Sequence, residues 1–165
     1  MATCATSRRA RVVLDSSGIA LSAALEKSHF FLVKPSRREL EKLVGRELDE
    51  QGVREAASAI VSRGAAELVA VSLGADGALL ASSGGVLREA AIEVSAHSSV
   101  GAGDSFVGAM TWALAQGKSH AEAFRTGIAA GAASITAPGT RLCQPGDVHD
   151  LLNRSRAEQL PPLKA

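Results

Sequence analysis

The residues best suited to chemistry in this 165-residue chain lie in the stretch Ser99-Val100-Gly101-Ala102-Gly103-Asp104-Ser105-Phe106. It follows a β-rich segment and opens a helical pattern predicted from Ser105 to Ala115. Two glycines allow a tight turn and a close backbone approach to a ligand. The helix that follows directs its free N–H groups, and about half a positive charge, at whatever sits there. Asp104 stands beside that anion hole. This combination suits phosphoryl transfer to a hydroxyl: the N–H groups stabilise charge on the moving phosphate and the carboxylate takes the hydroxyl proton. A purely structural reading also accounts for these residue types. Gly-rich turns start many helices, and Asp suits a helix N-terminus without any chemistry.

Four other stretches carry candidate residues, each with a structural alternative. Lys34-Pro35-Ser36-Arg37-Arg38-Glu39 follows a predicted strand. Ser36 and Glu39 form the capping-box pattern S-x-x-E, which by itself explains both; alternatively Glu39 sits near Mg²⁺ through water. Ser72-Leu73-Gly74-Ala75-Asp76-Gly77 ends another strand. Its glycines could lie against a nucleotide or simply shape a β-turn. Ala137-Pro138-Gly139-Thr140-Arg141 reads as the end of a long helix, with Gly139 as helix stop and Pro138 as breaker. Asp15-Ser16-Ser17-Gly18 reads as a helix cap after the first strand. Phe106 and Trp112 are expected in the core, and His97 in a loop.

These segments need a scaffold. Strands are predicted at Arg11–Leu14, His29–Val33, Glu67–Leu73, Ala78–Ala81 and Val86–Val94. Helices are predicted at Gly18–Glu26, Ser36–Val44, Val53–Arg63, Ser105–Ala115, His120–Thr136 and Gly146–Asn153. Alternating β and α segments imply a parallel sheet covered by helices, and Gly84-Gly85 an antiparallel hairpin within it. In open α/β sheets, ligands bind at the carboxyl ends of the strands. Asp15, Lys34, Ser72 and the Gly101 turn all fall at or just past such ends. Residues 1–10 are expected to be irregular and 154–165 to form a loose tail with Pro161 and Pro162.

Composition narrows the function classes. The chain is 46% hydrophobic and 21% charged, with a net charge of +1. That balance gives no electrostatic case for nucleic acid or a membrane surface. No apolar run is long enough to cross a bilayer, and the first ten residues hold no apolar signal core. Aromatics make up 3%, so the core must rest on Ala, Val, Leu and Ile. Cys4 and Cys143 match no metal spacing and are expected to be reduced thiols of a cytoplasmic protein.

Taken in order, the motifs VVLDSSG (Val12–Gly18), VKPS with Glu39-Leu40, VSLGADGAL (Val71–Leu79), SVGAGDSFVGAMT (Ser99–Thr111), GIAAGAAS and GTRLC resemble the C-terminal half of ribokinase-like (PfkB family) sugar kinases. The resemblance spans about Arg11–Leu152. It implies an α/β fold, the ribokinase-like three-layer α/β/α sandwich, here without the N-terminal half and lid. It implies ATP-dependent phosphorylation of a phosphosugar, and DSSG and GTRLC point to the branch acting on fructose 6-phosphate. Fructose 1-phosphate and tagatose 6-phosphate are the alternatives within the class. An inactive nucleotide-binding fragment is the alternative outside it. By the same resemblance Asp104 is the catalytic base, and Gly101, Ala102 and Gly103 form the anion hole. Lys34, Ser36, Ser72, Gly74, Gly77, Gly101 and Gly103 line the ATP site, and Glu39 organises Mg²⁺ and its waters. Ser98, Val100, Ala137, Gly139 and Arg141 hold a monovalent cation such as K⁺ through main-chain oxygens. The implied partners are the phosphosugar and ATP, with a homodimer or a missing N-terminal half completing the protein. Family members carry Asn where this chain has Ser36, which bears on the Mg²⁺ network.

Overall fold

Three apolar runs, Val13–Leu14 (β1), Phe30–Val33 (β2) and Ala66–Ser72 (β3), pair in parallel. All four residues of β2 are buried, the pattern of a strand covered on both faces. The computed structural model describes residues 10–95, 97–98, 100–136, 143–154 and 158–160. β4 (Ala78–Ser82) and β5 (Gly85–Glu89) are separated by two residues, Ser83 and Gly84. A link that short joins only antiparallel strands, so the predicted hairpin is present and the sheet is mixed. β6 (Glu158–Leu160) completes the strand order β1-β2-β3-β4-β5-β6. It lies in the segment expected to be loose.

The chain divides into two compact units. One comprises the residues up to Leu73, with Leu79–Leu87 and the chain from Gln159. The other comprises Gly74–Ala78 and Arg88–Glu158. In the first unit, helices α1 (Gly18–Lys27) and α3 (Glu50–Ser62) bury apolar residues at three- and four-residue spacing, and α2 (Arg37–Val44) buries Leu40. Leu21, Leu25, Leu40, Val53, Ala57 and Ile60 join one cluster with Val33, Val69, Val71 and Leu79 of the sheet. As the composition requires, that cluster is almost wholly aliphatic. α3 starts three residues before its predicted start. Asp49 Oδ1 accepts the Gly52 N–H at 2.7 Å and caps it.

The second unit is built on helices α4 (Ala102–Ala115), α5 (His120–Thr136) and α6 (Pro145–Leu152). Glycine lets α5 approach α4 closely. A Cβ on Gly127 would sit 2.9 Å from the Phe106 carbonyl oxygen, and one on Gly131 would sit 3.3 Å from that of Ala102. Phe106 is buried and meets Phe124 edge-on, with ring centroids 6.2 Å apart. Trp112, expected in the core, is instead 62% exposed. It falls on the outer face of α4, while Phe106, Met110, Ala113 and Leu114 take the buried stripe. The strand predicted to run to Val94 stops at Glu89. Ile92 and Val94 pack instead against Ala129, Ala132, Ala133 and Leu151, so their alternation serves helix packing.

One ionisable contact in the first unit makes stability depend on pH. His29 Nδ1 lies 2.8 Å from the Gly64 carbonyl oxygen, and Nε2 lies 3.4 Å from Glu67 Oε1. Both partners favour the charged ring. The Gly64 carbonyl dominates and Glu67 adds to it, while burial opposes them, and the His29 pKa is raised above 6.5. The stabilisation is therefore complete below the unfolded value of about 6.5 and is lost as pH rises through the raised folded value. We expect the urea midpoint to fall between pH 6 and pH 8, and His29→Gln to flatten that dependence. An unchanged slope in the variant would show that His29 is not its source.

Candidate active site

Because β1, β2 and β3 run parallel, their carboxyl ends share one edge of the sheet. The register Leu14↔Val33 makes Asp15 and Lys34 the next pair along. Their side chains meet there, with Lys34 Nζ 3.3 Å from Asp15 Oδ2. Lys34 is buried, and a buried ammonium needs such a partner. The helix cap expected of Asp15-Ser16-Ser17-Gly18 falls to Ser17, which takes the N-cap position of α1 without a side-chain bond, and the Asp15 carboxylate faces Lys34. The sequence signal for that pair is their equivalent place, each directly following a paired strand end.

The same edge carries Ser36, Glu39 and Ser72. Ser36 bridges Ser72 in parallel register, and the Ser72 N–H donates to the Pro35 carbonyl at 3.1 Å. The capping box is present: Ser36 Oγ accepts the Glu39 N–H at 3.3 Å. Glu39 Oε2 accepts from the Ser36 N–H at 2.7 Å and from its hydroxyl at 2.9 Å. Lys34, Ser36, Glu39 and Ser72 are thus brought together, and Asp15 joins them. A separate cavity of about 410 Å³ in this unit, lined by His29, Arg63 and Gly64 among others, lies at the amino ends of β2 and β3. It contains none of the predicted site residues.

In the second unit the remaining candidates fall on two turns. Gly74–Asp76 forms a short 3₁₀ turn, closed by the Gly77 N–H donating to the Gly74 carbonyl at 3.1 Å. Both glycines have positive φ, +65° and +96°. Arg88 Nη2 donates to the Asp76 carbonyl at 2.6 Å and braces the turn. The second turn is Gly101, with φ +81° in the left-handed region. It serves as the N-cap of α4 with no side-chain cap bond. The Ser105 N–H donates to the Gly101 carbonyl at 2.8 Å and closes the first helical turn.

α4 therefore begins at Ala102 and not at the predicted Ser105. Ala102, Gly103 and Asp104 occupy its first turn, where N–H groups have no intrahelical acceptor. The Asp104 side chain is exposed there, with no hydrogen-bond partner among the described residues. An anion would meet three backbone donors with a carboxylate beside them.

The Ser98 N–H donates to the Ile135 carbonyl at 3.3 Å, and Ser98 Oγ accepts the Val100 N–H at 3.2 Å. Ala137, Gly139 and Arg141, the rest of the predicted monovalent-cation set, lie outside the described residues, as does Cys4. Among the described residues no three His, Cys, Asp or Glu side chains cluster as a metal cage. That donor set still fits Mg²⁺, which keeps waters and binds one or two carboxylates plus substrate phosphates. Glu39 offers one carboxylate for that purpose, with Oε1 free of protein partners among the described residues. No helix among the described residues is long and apolar enough to cross a membrane.

Residues 1–147 match the profile described as pfkB family carbohydrate kinase. The chain is 48% identical over 142 residues to ATP-dependent 6-phosphofructokinase isozyme 2 of Escherichia coli, covering 86% of this chain and 46% of that protein. It is 41% identical over 126 residues to the 1-phosphofructokinase of the same organism, covering 76% and 40%. Among solved structures it resembles E. coli phosphofructokinase-2 in complex with substrates and products, with TM-score 0.87 and 44% identity over 92% of this chain and 50% of that one. It also resembles Arabidopsis thaliana ribokinase complexed with ribose and ATP, with TM-score 0.79 and 25% identity over 92% and 50%. The α/β fold is thus ribokinase-like, as the motifs imply. The chain spans about half the length of the curated relatives it matches. Its motifs, fold and profile match agree, and the chain belongs to the pfkB family of carbohydrate kinases.

Proposed function

We propose that this chain carries the phosphoryl-transfer machinery of an ATP-dependent kinase acting on fructose 6-phosphate. The observation that carries the reading is the Gly101 turn. A left-handed glycine opens α4 without a side-chain cap and leaves Asp104 exposed in the first turn. In the proposed reaction the C1 hydroxyl oxygen of the sugar bonds to the γ-phosphorus of ATP. The bond from that phosphorus to the bridging oxygen breaks, ADP leaves, and the hydroxyl proton passes to Asp104. An alcohol is far too weak an acid to lose its proton to Asp in the ground state. Asp104 therefore acts late, as the new bond forms. The N–H groups of the Gly101-Ala102-Gly103 anion hole, with that of Asp104 next in the turn, stabilise charge on the transferring group, the larger share of such catalysis.

Other roles follow from position. Ser72, Gly74 and Gly77 are assigned to the nucleotide, as are Lys34 and Ser36. Lys34 acts mainly through its hold on Asp15. Glu39 is assigned to Mg²⁺, whose chemistry when bound is to neutralise phosphate charge. Ser98, Val100, Ala137, Gly139 and Arg141 are assigned to a monovalent cation, supported by the likeness to E. coli phosphofructokinase-2 solved with potassium. The protein's partners are then the phosphosugar, ATP and a further copy or segment that completes the site. The cytoplasm is the proposed compartment.

The identity with 1-phosphofructokinase supports fructose 1-phosphate as a second reading. ADP release over fructose 6-phosphate, fructose 1-phosphate and tagatose 6-phosphate, with MgATP calorimetry on the same sample, tests both. We expect fructose 6-phosphate to give the largest kcat/KM in protein that turns over. Preference for fructose 1-phosphate would move the assignment to the second reading. MgATP binding without turnover of any sugar would make this chain a nucleotide-binding module.

A further inference from the structure

The Gly74–Gly77 turn is braced from outside itself. Gly74, Ala75 and Asp76 form a 3₁₀ turn that buries none of its residues, so side-chain packing does little to hold it. Glycines at both ends, with φ of +65° and +96°, add conformational freedom that folding must remove. Arg88, the fourth residue of β5, reaches this turn within the same compact unit. Its Nη2 donates to the Asp76 carbonyl at 2.6 Å, and its Nη1 donates to the Glu89 carbonyl.

The place of these bonds sets their effect. The Asp76 carbonyl and the Gly77 N–H belong to one peptide group. Arg88 holds its oxygen, and the Gly74 carbonyl accepts its N–H at 3.1 Å. A peptide pinned at both ends rotates only by breaking two hydrogen bonds. The Glu89 carbonyl is also the backbone that Gly77 lies against, since a Cβ on Gly77 would stand 2.1 Å from its oxygen. One guanidinium thus ties the turn to its neighbour. Arg suits this task because its donors form a rigid planar fork, whereas the Lys ammonium is a point charge on a flexible stem.

We propose that Arg88 is a positioning residue for nucleotide binding: its guanidinium locks the 76–77 peptide, so that the turn meets the nucleotide in one conformation. This inference rests on the assignment of Gly74 and Gly77 to the nucleotide made above. A turn ordered in advance spares the ligand the cost of ordering it. For the backbone of one residue that cost corresponds to about a 10-fold change in affinity.

The test separates the brace from stability and from charge. Arg88→Met removes the donors and keeps an unbranched apolar stem. Arg88→Lys keeps the charge without the fork. MgADP is titrated into each protein by calorimetry. Deuterium exchange of the Gly77 N–H is read by NMR, and a melting curve is recorded on each sample. We expect both variants to bind MgADP about 10-fold more weakly and to exchange the Gly77 N–H about 10-fold faster. A role confined to stability lowers the melting temperature and moves neither readout of the folded protein. Parent-like MgADP affinity, or an unchanged Gly77 exchange rate, overturns the inference. Parent-like affinity in Arg88→Lys with a loss in Arg88→Met assigns the effect to charge and overturns it as well. If Arg88→Met does not fold, Arg88→Lys alone decides. Gly74→Asn distinguishes the two levels of failure. Asn tolerates the left-handed backbone, and a Cβ at Gly74 meets nothing within 4 Å, so the new side chain enters the space assigned to the nucleotide. If Gly74→Asn loses MgADP affinity while the Arg88 variants do not, the positioning role alone is wrong. If Gly74→Asn binds MgADP like the parent, or the parent binds none, the assignment of the turn to the nucleotide fails and the inference with it.

Discussion

In protein that turns over the phosphosugar, Asp104→Ala lowers kcat by about 10²- to 10⁴-fold, the usual share of a positioned general base. KM for ATP stays nearly unchanged, because the interaction removed forms only as the proton moves. The fold survives the change. Asp104 is exposed at the third position of α4, and a carboxylate there contributes only about 0.3–1 kcal/mol to the helix. Phe106, Met110 and the glycine contacts of α5 hold α4 in place without it. Asp104→Asn sharpens the test. It keeps the shape and a side chain suited to a helix start, yet cannot accept the proton. The two variants should be equally impaired while melting close to the parent. Near-normal turnover in either one would remove Asp104 from the base role and leave it as a helix-start residue.

The second large effect is on stability. Gly77→Ala should cost about 3–5 kcal/mol, at the severe end for one substitution. Gly77 has φ +96°, and a Cβ there would stand 2.1 Å from the Glu89 carbonyl oxygen and 2.6 Å from both Ala90 C and Ala91 N. All three obstacles are backbone, so no rotamer change relieves them. Gly74 makes the control. Its φ of +65° is also left-handed, but a Cβ there meets nothing within 4 Å. Gly74→Ala should cost only the conformational penalty, about 1–2 kcal/mol. Urea unfolding of both variants gives the comparison. If Gly77→Ala is no worse than Gly74→Ala, the backbone of residues 89–91 does not crowd Gly77 and the packing requirement is wrong. The pair also separates two meanings of glycine in the 72–77 motif. Gly77 is required by packing whatever binds nearby, whereas Gly74 leaves room for a ligand.

Much of this protein was legible in its sequence because the deciding signals are local. The parallel strands are short apolar runs, and the capping box of Ser36 and Glu39 is a spacing rule satisfied within one turn. The Gly101 turn opens α4, as the glycines imply, although the helix starts at Ala102 and so takes in Asp104, three residues before the predicted Ser105. The family, too, follows from motifs in order. What the sequence left undecided depends on partners distant along the chain. The 15–18 segment reads as a helix cap with Asp or Ser in that role; Ser17 takes it, and only the strand register places Asp15 against Lys34. Trp112 looked like core, and only the packing of α5 on the other face of α4 left it in solvent. The Ile92 and Val94 alternation looked like a strand and became a helix-packing surface. Periodicity states which residues seek burial, but not which surface buries them. Propensity and capping act within a few residues of each other, and the chain alone sets them. Pairing, close backbone approach and the choice of buried face act between segments far apart in sequence, so only the tertiary structure decides them.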